Sequence, residues 1–305
     1  MDLPVNSSSA LPHPPTPKVR DTVNPMCEEA SSNIMSSEIN LEPRLREELL
    51  KQDRTDKDMK QTILHFGGNG HSEVRLRRAR EAMSHLDDRF ELVDVPYPGF
   101  ENRARSANLN QFLADLEQFV TQQPHVCVIA SGIGALIALS LRAQGGLLGS
   151  PMIFQGPVLW GLEHRWMPRV MRWQFPRFFL KKLFTLERFQ DRFVGKQFQR
   201  VVEPEFADSF FQGYADCTAF GDLFDWFTPQ WLRQLELAFQ ANPDALNHIT
   251  VWICGADKVV GRFEIEMTSQ RLPISWPIVE FPTWGHYPAI DAPEEWAKAL
   301  KNALS

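Results

Sequence analysis

The sequence predicts an α/β protein: a mostly parallel sheet with helices on both faces, interrupted by a helical insertion. Three observations carry this reading. Fully apolar, strand-like runs such as "VCVIA" (126–130) alternate with stretches of helical spacing, the pattern of strands covered on both faces. The alternation stops from residue 161 to about 247, where the chain is largely helical and aromatic, and then resumes. The 305 residues, 43% hydrophobic and 23% charged, suit an ordinary globular protein with one large domain and an insertion, or two small domains.

Residues 1–58 are rich in Ser, Pro and Glu with almost no aromatics, and are expected to be a disordered tail with at most a short helix over 42–52. The first part of the core spans 59–160. "TILHF" (62–66) reads as a strand running into the turn "GGNGH", and a helix over 72–86 follows with Ser72 as its cap. "FELVDVPYPGF" (90–100) is a strand leading into a Pro/Gly loop. Apolar residues at 109, 112, 113, 116, 119 and 120 mark a helix over 109–123. "VCVIA" is the next strand, "GALIALSLRAQ" (134–144) the next helix, and "PMIFQGPVLW" (151–160) supplies another strand. A helical cap is expected over 161–247. The second part of the core, 248–305, holds the strand of "ITVWICGADKVV", a helix over 262–272, the strand of "WPIVEF" and a terminal helix over 292–304. There is no internal repeat.

Four loops that follow these strands carry candidate chemistry. "LHFGGNGH" (64–71) is a glycine turn in which the backbone can approach a ligand closely. "VCVIASGIGALIAL" (126–139) is a strand, a small-residue turn and a helix. "VWICGADKVV" ends in an acid and a lysine before two valines, and "WGHYPAIDAPEEWAKAL" (284–300) offers His286, whose unperturbed pKa lies near neutrality. In order and character these loops resemble those of the α/β-hydrolase superfamily, its thioesterase- and lipase-like members in particular, over residues 61–305. The helix 134–144 is similar to the same stretch of type II thioesterases. In that family's strand count the insertion falls between the sixth and seventh strands, where a cap covers the sheet's carboxyl edge.

The resemblance implies roles. Phe66, Gly67 or Gly68 would donate a backbone N–H to an oxyanion, together with Ile133 after the elbow. His286 falls where the family's histidine sits. Its acid is Asp257 when the loop is matched backward from Val259 and Val260, and Lys258 takes the place when it is matched forward from Gly255. A carboxylate is needed to hold the imidazole tautomer, which favours Asp257. The elbow departs from the family's Gly-x-Ser-x-Gly turn: laid without gaps, Ala130 and Gly134 are its flanks and Gly132 stands at the nucleophile position. A glycine-tipped elbow is also found in the N-myc downstream-regulated family, though only the elbow is shared. Three readings stay open. Ser131 serves as nucleophile through a one-residue shift; or His286 and its acid work on a substrate without a covalent intermediate; or the site is silent and the pocket binds a ligand or protein partner.

The remaining features bound the function. The net charge of −6 conceals a basic aromatic segment, 165–200, with ten Lys/Arg against two acids. Such a segment suits a lid with an aromatic inner face, a peripheral membrane contact, or the binding of an anionic acyl ligand. Nucleic acid is not expected at a pI near 5.8 without a matching motif. Cys27, Cys127, Cys217 and Cys254 are scattered, as expected for reduced thiols. Neither a secretory signal nor an apolar run of about 18 residues is found, so a cytoplasmic protein is expected. No cofactor or metal is implied. The expected ligand is an apolar or acyl small molecule.

Overall fold

The computed structural model describes residues 60–68, 76–165, 222–272 and 275–305, with 169–170, 179, 182, 186–191 and 211. The expected tail, the Ser72 cap and most of the basic aromatic segment lie outside these residues. Six strands form one sheet in the order β2-β1-β3-β4-β5-β6, and all five neighbouring pairs are parallel. The strands are β1 (Gln61–Phe66), β2 (Phe90–Asp94), β3 (Cys127–Ser131), β4 (Met152–Gln155), β5 (Ile249–Cys254) and β6 (Ile278–Phe281). Helices among the described residues include α1 (Arg77–Leu86), α2 (Leu109–Gln122), α3 (Gly134–Ala143), α4 (Pro229–Ala241), α5 (Arg262–Arg271), α6 (Pro288–Asp291) and α7 (Pro293–Leu304).

Strand alternation sorts the apolar residues onto two faces. Leu64, Phe66, Val128, Ala130, Phe154 and Val251 face α2, α3 and α4 in one core. Ile63, Leu92, Cys127, Ile129, Ile153 and Trp252 face α1 and α7 in the other. Helix α3 is buried on nearly every side, which is why its sequence is apolar all round rather than striped. Two helix starts are fixed locally. Asn108 accepts from the Gln111 N–H ahead of α2, and Thr228 accepts from the Trp231 N–H ahead of α4, whose first residue is proline.

Strand β4 is shorter than the apolar stretch 151–160 suggests. It ends at Gln155 because Gly156 takes φ +47° and turns the chain. The chain between β4 and β5 is where the expected cap falls, and its described parts include a 3-10 helix at Asp222–Phe227 and α4. Trp160, just past β4, donates to Glu236 of α4 at 3.1 Å, and Arg165 pairs with the buried Glu264 of α5. No helix among the described residues is long and apolar enough to cross a membrane.

Candidate active site

The elbow forms at the carboxyl end of β3. Ser131 ends the strand, Gly132 turns the chain at φ +55°, and α3 begins at Gly134. This left-handed conformation costs glycine nothing and a residue with a Cβ about 1–2 kcal/mol. The turn is pinned on both sides: the Gly132 N–H donates to the Gln155 carbonyl at 3.2 Å, and the Gly132 carbonyl accepts from the Val158 N–H at 2.9 Å. Position 134 tolerates no side chain, since a Cβ there would lie 2.1 Å from the Phe66 carbonyl oxygen. The glycine after the tip is thus a packing requirement of β1 against the start of α3.

His286 faces this tip. A Cβ placed on Gly132 would lie 3.6 Å from His286 Nε2 and 3.8 Å from the Gly68 Cα, ordinary contact distances. A side chain at this position would stand in contact with the imidazole. On its other nitrogen, His286 Nδ1 lies 2.8 Å from Asp257 Oδ2. With Nδ1–H donating to the carboxylate, Nε2 is left as the acceptor directed at the turn. Asp257 is itself held by the loop, its Oδ1 accepting the Val259 N–H at 2.6 Å and the Val260 N–H at 3.1 Å. The pair is buried, with side chains 7% and 0% exposed. Of the two matches of this loop, the geometry puts Asp257 on the histidine and not Lys258. The Tyr287 ring packs edge-on against His286 at 4.6 Å.

The oxyanion candidates gather at the same turn. Ile133 precedes α3, so its N–H has no partner in the helical ladder. Gly68 approaches closely enough that a Cβ on it would meet the Ser131 carbonyl at 3.6 Å. The Gly67 carbonyl accepts the buried Tyr97 hydroxyl at 3.0 Å, which fixes the loop after β1. Ser131, by contrast, does not share the tip. Consecutive strand residues point to opposite faces, and its hydroxyl lies 3.2 Å from His65 Nε2.

Three residues of this region escape the sequence reading. Gly156 sits behind the acid–histidine pair, where a Cβ would come within 3.2 Å of Asp257 Oδ2 and 3.8 Å of His286 Nδ1. His65 and Asp94 are bonded to one another at 2.8 Å beside Ser131. The available signal was a histidine near the end of "TILHF" and an aspartate at the end of "FELVD". Two buried thiols complete the surroundings. Burial pushes Cys127 up to about 12. Cys254, beside the pair, is raised by burial first and by the charges of Asp257 and Asp291 second.

A parallel sheet whose third strand runs through a glycine elbow into a buried helix, with an acid and a histidine brought in from the loops after β5 and β6, is the architecture of an α/β hydrolase. The sequence agrees: a model of the alpha/beta hydrolase family matches residues 63–299, and the chain belongs to that family. Crystal structures with the same fold include a protein assigned as a lipase from Acinetobacter baumannii (14% identity, TM-score 0.60, covering 80% of this chain and 83% of that one). A haloalkane dehalogenase variant from Bradyrhizobium elkanii (13% identity, TM-score 0.59) covers 81% and 89%. A bromoperoxidase from Bacillus anthracis (15% identity, TM-score 0.59) covers 81% and 92%. No curated protein sequence matches the chain.

Proposed function

We propose that this chain is an enzyme acting on an apolar or acyl small-molecule substrate, of ester or thioester type, by acid–base chemistry at His286 without a serine at the elbow. The observation that carries this reading is the acid–histidine pair itself, formed, buried and directed at Gly132. Taking a carboxylate out of water costs several kcal/mol, and here two backbone N–H groups and the imidazole offset that cost. The space beside the tip, where a serine side chain would stand, is left to a water molecule or a substrate group.

The chemistry balances without a covalent intermediate. His286 Nε2 accepts a proton from water as the water oxygen bonds to the acyl carbon. The resulting oxyanion is held by the Ile133 N–H and by the N–H of Gly67 or Gly68. Collapse breaks the bond to the leaving oxygen or sulfur, which takes the proton back from Nε2. General acid–base catalysis of this kind contributes on the order of 10²–10⁴-fold. The insertion over 161–247 would act as the cap, joined to the rest of the fold through Trp160 with Glu236 and Arg165 with Glu264. Arg165 also donates to the Val259 carbonyl in the loop that holds Asp257, so the cap and the acid are tied together. The unpaired thiols Cys127 and Cys254 support a reducing compartment such as the cytoplasm.

The test is a panel of p-nitrophenyl and acyl-CoA esters with the wild type, His286→Ala and Asp257→Asn. The expected result is turnover that falls at least ~100-fold in His286→Ala. Turnover indifferent to His286 would overturn the proposal. A folded protein that turns over no member of the panel would favour a pocket that binds a ligand or partner without chemistry.

A further inference from the structure

We propose that Ser131, His65 and Asp94 form a second site, in which Ser131 is a nucleophile toward compact acyl or phosphoryl electrophiles and His65 is its base. The atoms stand in the order such a site needs. Ser131 Oγ is 3.2 Å from His65 Nε2, and His65 Nδ1 is 2.8 Å from Asp94 Oδ1. A nucleophile on one imidazole nitrogen and a carboxylate on the other is recognised by geometry and not by sequence order. Asp94 is fixed in turn, its Oδ2 accepting from Arg80 at 3.0 Å while Arg80 Nε donates to the Leu92 carbonyl at 3.1 Å.

Strand register produces this arrangement. His65 of β1 lies opposite Asp94 of β2 on one side and Ile129 of β3 on the other, which places Ser131 two residues beyond His65's row. Side-chain alternation puts all three on the face that holds Ile63, Leu92, Cys127 and Ile129. At the carboxyl end of that face an apolar layer therefore gives way to a polar one. His65 and Ser131 keep only 5% and 6% of their surface exposed, and polar groups buried to that degree are costly unless they are paired. The acid end reaches solvent: Asp94 and Arg80 line a surface groove of about 690 Å³ beside β2.

The step is the transfer of an acyl group to serine. His65 Nε2 takes the Ser131 hydroxyl proton as Oγ bonds to the acyl carbon of an ester. The bond to the leaving oxygen breaks, and that oxygen takes the proton from Nε2, leaving an acyl-serine. Water then repeats the sequence and releases the carboxylic acid. With a phosphorofluoridate, Oγ bonds to phosphorus, the phosphorus–fluorine bond breaks, and fluoride leaves with the proton. The small exposure of Ser131 restricts the site to compact electrophiles. This inference is independent of the reading given to His286, because the two sites use different bases.

The experiment treats the folded full-length chain with diisopropyl fluorophosphate and follows intact mass, with the adduct located by peptide mapping. One adduct on Ser131 is expected, absent in Ser131→Ala and formed at least ~100-fold more slowly in His65→Gln. If Ser131→Ala fails to fold, Ser131→Cys serves, with iodoacetamide alkylation slowed when His65→Gln is added. A folded wild type that gains no adduct on Ser131 overturns the proposal. So does a rate unchanged in His65→Gln, or labelling that is lost in His286→Ala, which would assign Ser131 to the other base.

Discussion

Two histidines approach the turn at Gly132 from opposite sides of β3, each with an aspartate on its Nδ1 at 2.8 Å. They differ in what their Nε2 atoms meet. On the β5–β6 side, His286 faces a glycine with no side chain. On the β1–β2 side, His65 faces the hydroxyl of Ser131. The acids differ as well. Asp257 is held by two backbone N–H groups of its own loop, whereas Asp94 is held by the side chain of Arg80, which is 30% exposed. An aspartate–histidine pair can therefore be assembled apart from any serine. A support made of backbone is also harder to remove by substitution than one made of a partly solvated cation.

The sharpest way to alter this comparison is Gly132→Ser, which returns a hydroxyl to the side that lacks one. A fluorophosphonate adduct at position 132 is expected, forming on the order of 10²–10⁴-fold faster than when His286→Ala is added. Urea denaturation should show the variant destabilised by about 1–2 kcal/mol, the cost of a side chain at this φ. No adduct at position 132 in a folded variant would show that His286 does not act on the tip.

Gly134→Ala should break both sides at once, because both depend on the same turn. A Cβ 2.1 Å from a backbone oxygen forces β1 and α3 apart, with a loss of more than ~4 kcal/mol of stability by denaturant titration. A change under about 1 kcal/mol would mean that the turn yields more easily than its packing implies. Gly156→Ala should affect only the His286 side. The 3.2 Å approach to Asp257 Oδ2 displaces the pair by a few tenths of an ångström, enough to slow Gly132→Ser labelling roughly tenfold while Ser131 chemistry is untouched. Arg80→Gln is the smallest perturbation and belongs to the other side. A partly exposed ion pair contributes less than about 1 kcal/mol, so the melting curve should barely move while Ser131 labelling slows a few-fold. Equal slowing at both sites would mean that the two relays are coupled through β3.

The sequence was most legible where structure is local. "VCVIASGIGALIAL" shows strand, turn and buried helix within one window, and the loops bearing Asp257 and His286 carry their own glycine and proline punctuation. The choice between Asp257 and Lys258 was not settled there, because it depends on which side chain the loop turns inward toward His286. His65 and Asp94 stayed hidden for a related reason. Alternation tells which face a residue joins, but the partner across the ladder is set by register between strands distant in sequence. Ser131 was visible as a neighbour of the tip, yet its direction follows from the pleat, which sends it away from Gly132. In "PMIFQGPVLW" the apolar run concealed the stop at Gly156, a matter of backbone conformation rather than polarity.

Placing β3 in the middle of the sheet has a consequence for the order of assembly. The His65 relay draws on residues of β1, β2 and β3, all within the first part of the fold, so its contacts can close before the rest of the chain is synthesised. The His286 pair needs the loops after β5 and β6, near the chain's end. Helix α7 links the two timetables, since it follows His286 closely and packs with α1 over the face that holds His65. A ribosome-bound chain halted before α7 would hold the first relay's contacts while Trp296, Ala297 and Leu300 were still missing from that face's apolar core.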